Sequence, residues 1–158
     1  IYMKISKKIE PLIAGLSASI IIGVLAVLSF ETSTGYWLMI SFGATSLVVV
    51  VLYDKEFAQP GNIFFGHLLG ITVGILFNEL IGDSSLSLAL AVGTATTLMI
   101  YLKVMHPPAA ANPLIAIFGD VSLDFIIFPV ITGSFVIILI SILINKLILK
   151  RDYPTRWF

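Results

Sequence analysis

The sequence predicts an all-α integral membrane protein, a bundle of transmembrane helices forming a single domain over residues 1–158. Three observations predict this class. Hydrophobic residues make up 58% of the chain and charged residues 11%, whereas soluble domains average about 45–50% and 25%. The charged residues fall between long apolar runs rather than within them. Several runs approach the roughly 20 apolar residues that a helix needs to cross a bilayer.

Charge-free runs occur at six places in the chain, and each predicts one membrane crossing. They cover residues 11–30, 32–53, 57–78, 84–102, 104–119 and 125–145. Lys or Arg occurs at every second boundary between runs, starting with Lys4, Lys7 and Lys8, and only carboxylates occur at the others. Cytoplasmic flanks are rich in Lys and Arg. We therefore expect a multi-pass protein of the cell (inner or plasma) membrane with both termini cytoplasmic.

The fifth run contains Pro107, Pro108 and Pro113 and is not predicted to form a continuous helix. Each proline removes a backbone donor and disfavours helical geometry in the residue before it. Non-helical backbone at membrane depth persists only where protein buries it or where it lines a cavity. The sequence thus predicts five full helices plus one broken segment. Pro60 is expected in the first turn of the third helix, as a second interruption.

Small residues recur at helical spacing, as in Gly70 with Gly74, and predict close helix packing within one subunit. Aromatic residues near the ends of runs are expected in the membrane–water interface, because their rings are amphipathic. They are Tyr36, Trp37, Tyr153 and Trp157.

His106 is the first candidate for a functional side chain, since it immediately precedes Pro107 and Pro108 in the broken segment. Its imidazole could bind a proton or an anion, or could instead cap a carbonyl freed by the prolines. His67 lies early in the third helix. It could face the bundle and pair with His106 or Asn62.

Four further polar residues are candidates for binding a solute beside these histidines. Asn62, Asn112 and Gln59 lie next to the interrupting prolines, where freed backbone groups also need partners. Lys103 lies one turn before His106 and could attract an anion or extend to the headgroups.

The residue types that the sequence lacks limit the classes of function that it can have. The chain contains no cysteine, which excludes disulfides, thiolate metal sites and thiol nucleophiles. No Asp or Glu lies in the middle of a run, so passage of an anion or a neutral solute is favoured over cation transport. No metal-binding motif is present, and we expect no metal, cofactor or catalytic residue. The formal net charge of the chain is zero, so it has no overall positive potential that would attract nucleic acid.

The sequence resembles the HPP family of integral membrane proteins in four blocks. These are residues 106–111 (HPPAAA), 58–62 (AQPGN), 66–70 (GHLLG) and 42–46 (FGATS). The family signature has glycine where this chain has Ala110. The resemblance implies a compact multi-pass protein, usually with four spans, in which Gly66 and the prolines at 60, 107, 108 and 113 belong to structural motifs. Some plastid and cyanobacterial relatives act in nitrite transport.

Together these features predict a membrane transporter or channel for a small inorganic anion, with nitrite as the leading candidate and the lipid bilayer and a homo-oligomer as its partners. Two alternatives stay open. One is a structural or sensory membrane subunit that transports nothing. The other is a membrane enzyme using His106 and His67, which would need a further catalytic group.

Overall fold

The computed structural model of the chain describes residues 9–33 and 35–157, and the regular secondary structure in these two stretches is helical throughout. The α-helices are α1 (Glu10–Phe30), α2 (Ser41–Val51), α3 (Pro60–Ile81), α4 (Ser85–Tyr101), α5 (Asn112–Phe118) and α6 (Thr132–Leu143). Short 3₁₀ turns cover Glu56–Ala58 and Pro107–Ala111, and a π-helical turn at Ile144–Ile148 extends α6 at its end. The stretch Ile126–Ile131 leads into α6 and is kinked at Phe128, whose φ of −120° and ψ of 117° are not helical. The predicted all-α class is confirmed. Lys4, Lys7 and Lys8 lie outside the described residues.

Three helical stretches in the described part of the chain are long and apolar enough to cross a membrane. They are Glu10–Phe30, Pro60–Ile81 and Ile126–Ile148, with 21, 22 and 23 residues. At about 1.5 Å per residue each reaches the roughly 30 Å of the hydrocarbon core. Helices Ser41–Val51 and Ser85–Tyr101 are shorter, so the expectation of five full-length helices is wrong in this respect.

The second predicted helix is shortened because its first part is not helical. Gly35 has a φ of +111°, a conformation that favours glycine. The amide of Trp37 donates to Ser29 Oγ at 2.9 Å, which ties this segment back to the end of α1. Hydropathy alone cannot distinguish such a non-helical apolar segment from a helix.

The fifth run is broken as predicted and lies along α3 over nearly its full length. Close contacts occur where α3 has glycine. A Cβ added at Gly70 would lie 2.5 Å from the Ala109 carbonyl oxygen, and one at Gly74 would lie 2.6 Å from Pro113 Cα. At the far end, Asn78 Nδ2 donates to Asp120 Oδ1 at 2.8 Å. The predicted packing of Gly70 and Gly74 within one subunit is confirmed.

The residues after α6 fold back over the start of α3. Tyr153 is fully buried, and its hydroxyl donates to the Ala58 carbonyl at 2.8 Å. The expectation that Tyr153 belongs to an interfacial belt is therefore wrong, because the tail packs onto the protein and supplies its phenol with a partner. Arg151 Nη2 lies 3.5 Å from Glu10 Oε1, so the start of α1 and this tail share one end of the bundle.

Candidate solute site

The two histidines of the chain lie side by side in the interior. Their ring centroids are 4.9 Å apart, and both side chains are fully buried. His67 is on α3, whereas His106 has extended backbone (φ −140°, ψ 99°), as the residue before a proline prefers. Gly66 leaves the space that this requires, because a Cβ there would lie 2.7 Å from the Cβ of His106.

Thr45, on α2, joins the two imidazoles. Its Oγ1 lies 2.9 Å from Nε2 of His67 and 3.0 Å from Nε2 of His106. A single hydroxyl carries one proton and can accept others. Thr45 can therefore donate to one ring while it accepts from the other.

The groups beyond the rings determine which nitrogen carries each proton. His106 Nδ1 lies 2.7 Å from the Phe57 carbonyl oxygen, which can only accept, so Nδ1 donates. Asn112 Nδ2 donates to the His67 carbonyl at 3.0 Å, which identifies it as the amide nitrogen, and it also lies 3.0 Å from His67 Nδ1. Nδ1 of His67 must accept, and its proton is on Nε2.

These assignments give one directed chain of hydrogen bonds. Asn112 donates to His67, His67 donates to Thr45, Thr45 donates to His106, and His106 donates to the Phe57 carbonyl. Ser41 Oγ donates to Asn112 Oδ1 at 2.8 Å and completes the amide's partners. Every ring nitrogen has a partner with both imidazoles neutral, which is how buried polar groups are kept at low free-energy cost.

The other three residues predicted for the site are not members of this hydrogen-bonded chain. Asn62 is adjacent, and its Nδ2 donates to the Met105 carbonyl at 2.9 Å, which holds the broken segment. Gln59 is buried but binds the tail, since its Oε1 accepts from the Thr155 amide at 2.9 Å. Lys103 is exposed, in a left-handed conformation with φ 59°.

Sequence reasoning did not single out Thr45 or Ser41. Thr45 is separated from His67 by 22 residues and from His106 by 61. Only its place in the block at residues 42–46 was a signal, and a threonine in an apolar helix is usually bonded to its own backbone. Thr45 also has that contact, at 3.2 Å to the Ser41 carbonyl.

The site is closed to solvent in this conformation, because His67, His106, Thr45 and Asn112 each have no exposed surface. A groove of about 430 Å³ lies elsewhere, between α3 and α6, and its lining includes Phe64 and Trp157. Across residues 9–33 and 35–157, no three His, Cys, Asp or Glu side chains are grouped so that they could hold a metal ion.

The apolar helices and the buried polar chain beside a broken segment define a polytopic helical membrane protein. The chain belongs to the HPP family, since the model of the HPP transmembrane region matches residues 4–154.

Two curated relatives are both transmembrane proteins of Dictyostelium discoideum. One is 30% identical over 154 residues, covering 90% of this chain and 50% of the relative. The other is 29% identical over 126 residues, covering 75% of this chain and 44% of the relative. The chain thus spans about half the length of the curated relatives it matches, and no solved structure matches it.

Proposed function

We propose that this HPP protein is a transporter or channel for a small inorganic anion, with nitrite as the leading candidate, and that the anion passes the hydrogen-bonded chain of His67, Thr45 and His106. The observation that carries the proposal is this buried polar chain beside backbone that is not helical. Ionisable and polar side chains within membrane segments are costly and usually mark a pathway. Broken helices in transporters frame such sites.

The hydrogen-bonded cluster of Asn112, His67, Thr45 and His106 has a chemistry that favours an anion. If Thr45 turns away from His106, its hydroxyl and the His67 Nε2–H are donors on neighbouring atoms of one site. Nitrite offers acceptors only, so it matches a donor-rich, uncharged site. In the described ranges, no Asp or Glu is joined to the cluster by a hydrogen bond or an ion pair that would oppose an anion.

Passage requires the cluster to open, because it has no exposed surface now. The segment around Pro107–Ala111 is the natural moving part, since it is held by side-chain contacts rather than by a continuous helix. Asn62 and Gly66 of α3 contact its start. In transporters, alternating access comes from one part of the bundle moving or gating against another around a fixed site.

The orientation that we propose has six crossings with both termini cytoplasmic. Two contacts support it. Arg151 meets Glu10 at one end of the bundle, and Asn78 meets Asp120 at the far end of α3. Arg151 and Arg156 lie at the first of these ends, as the basic residues of cytoplasmic flanks do. The homo-oligomer stays a prediction.

The direct test is nitrite flux into liposomes that contain the purified protein. We expect flux with the wild-type protein and at least about tenfold less with His106→Ala, because Thr45 then loses its buried hydrogen-bond partner. Thr72→Val is the matched control, since Thr72 is exposed and donates only to the Leu68 carbonyl of its own helix. Absence of flux in the wild-type protein would refute transport. Unchanged flux in a folded His106→Ala protein would refute the site but not the class.

A structural role for the cluster is the competing proposal, and one observation favours it. All ring nitrogens are paired within the protein, as in a polar network that holds helices together. If the role is structural, His106→Ala should lower the thermal stability of the protein, and no variant should show nitrite flux.

A further inference from the structure

The bridging hydroxyl of Thr45 has a third neighbour that the neutral cluster does not use. Besides the two Nε2 atoms, Thr45 Oγ1 lies 3.2 Å from the Ser41 carbonyl oxygen. That carbonyl can only accept a hydrogen bond. The hydroxyl proton therefore has two places to point, toward His106 Nε2 or toward Ser41.

These two directions correspond to two protonation states of the cluster. In the neutral state, Thr45 donates to His106 Nε2 and accepts from His67. If a proton binds to His106 Nε2, that nitrogen becomes a donor, Thr45 accepts from both rings, and its own proton turns to Ser41. No hydrogen bond is lost in the exchange. One N–H bond forms on His106, and no other covalent bond changes.

A second proton has no such place. The remaining unprotonated nitrogen is His67 Nδ1, which faces the amide donor of Asn112 at 3.0 Å. Asn112 is held by two further bonds, to the His67 carbonyl and from Ser41, and cannot turn its oxygen toward the ring without breaking them. The cluster therefore has room for a single proton.

The surroundings decide what accompanies that proton. The titratable group facing His106 is His67 on α3, while α2 presents Thr45 and Ser41 and the 56–58 turn presents the Phe57 carbonyl. Within the described part of the chain, no hydrogen bond or ion pair joins these groups to an acidic or basic side chain. A buried imidazolium without a counter-charge is costly. An anion bound beside it offsets that cost.

We propose that the Thr45-bridged histidine pair binds one proton together with one anion, so that the protein is a one-to-one proton–anion symporter. The inference rests on the proposed function and deepens it by naming the coupled ion. The proton comes from hydronium at one face and is released to water at the other. A monovalent anion and a proton move no net charge, so transport is insensitive to membrane potential.

Proton binding can be tested without transport, because the chain has two histidines and their nitrogens can be labelled selectively. We would record ¹⁵N-histidine solid-state NMR spectra of the protein in bilayers, purified with a histidine-free tag. At neutral pH, two protonated and two unprotonated ring nitrogens are expected. On acidification one unprotonated signal, His106 Nε2, converts to a protonated one while His67 Nδ1 persists, and added nitrite moves this conversion to higher pH. Conversion of both signals together, or no effect of nitrite, would overturn the proposal.

Flux measurements then test the coupling. Proteoliposomes with an internal pH dye should take up one proton per nitrite, at a rate unchanged by a valinomycin-set potential. Thr45→Val should lower this coupled flux at least about tenfold, because neither Nε2 keeps its partner. Thr45→Ser should restore it. Thr97→Val is the control, since Thr97 is exposed and donates to the Gly93 carbonyl of α4.

The outcomes separate the two proposals. Nitrite flux without proton uptake, or flux that follows the potential, would overturn symport and leave anion transport standing. No flux in the wild-type protein would refute anion transport, and with it symport, even where the NMR spectra show a single bound proton.

Discussion

The phenol of Tyr153 donates a hydrogen bond of 2.8 Å to the carbonyl of Ala58, 95 residues earlier in the chain. The residue before Ala58 is Phe57, whose carbonyl accepts from His106 Nδ1. The tail after α6 thus holds the short turn that orients the imidazole of His106. A change in the tail is expected to reach the site through two consecutive carbonyls.

Tyr153→Phe should destabilise the protein by about 1–2 kcal/mol, because it leaves the buried Ala58 carbonyl without its donor. Thermal unfolding in detergent measures this. Tyr36→Phe is the matched control, since Tyr36 is 70% exposed and its loss of a hydroxyl should change little. Equal effects of the two substitutions would contradict the role of the Tyr153–Ala58 bond.

The same tyrosine predicts a dependence of stability on alkaline pH. Burial raises the pKa of the Tyr153 phenol above its ordinary value. The folded state therefore holds this proton more tightly than the unfolded state. Its contribution is fully present below the unfolded pKa of about 10 and is lost as pH rises above that value. The gap between the unfolding midpoints of wild type and Tyr153→Phe should therefore stay constant up to about pH 10 and narrow above it. A gap that does not narrow would refute this linkage.

Gly70→Ala should destabilise the protein by about 1–3 kcal/mol, because the new methyl group would lie 2.5 Å from the Ala109 carbonyl oxygen and push the broken segment off α3. Gly93→Ala, on α4, is the control. A Cβ there meets nothing within 4 Å, and alanine favours helix by up to about 1 kcal/mol. Thermal unfolding of both variants should give opposite signs, and a neutral Gly70→Ala would disprove the close packing.

Features determined by local sequence could be predicted, and those that depend on distant contacts could not. The prolines at 107, 108 and 113 have fixed φ angles, so the break is readable from the sequence alone. The role of Thr45 depends on three elements meeting, and Tyr153 is buried only because the tail folds back. Hydropathy also overestimated the length of α2, because a helix and a non-helical apolar segment can have the same composition.

The position of Asp124 relative to Asp54 tests the proposed six crossings. The chain lacks cysteine, so single cysteines at these two exposed positions can be labelled with an impermeant maleimide. If residues 104–120 cross the membrane, Asp124→Cys reacts in intact cells, and Asp54→Cys reacts only after permeabilisation.

The wild-type protein, which has no cysteine, is the control and must remain unlabelled throughout. Whole-cell flux or folding assays confirm that each variant is inserted. Reaction of both positions from the cytoplasmic side alone would mean that the broken segment turns back and returns to the side it left. An exchange of the two patterns would preserve six crossings and reverse the orientation. The re-entrant outcome would contradict the six crossings that we propose. The Asn78–Asp120 bond at the end of the 22-residue helix α3 supports a crossing, because it places Asp120 at the far end of that helix.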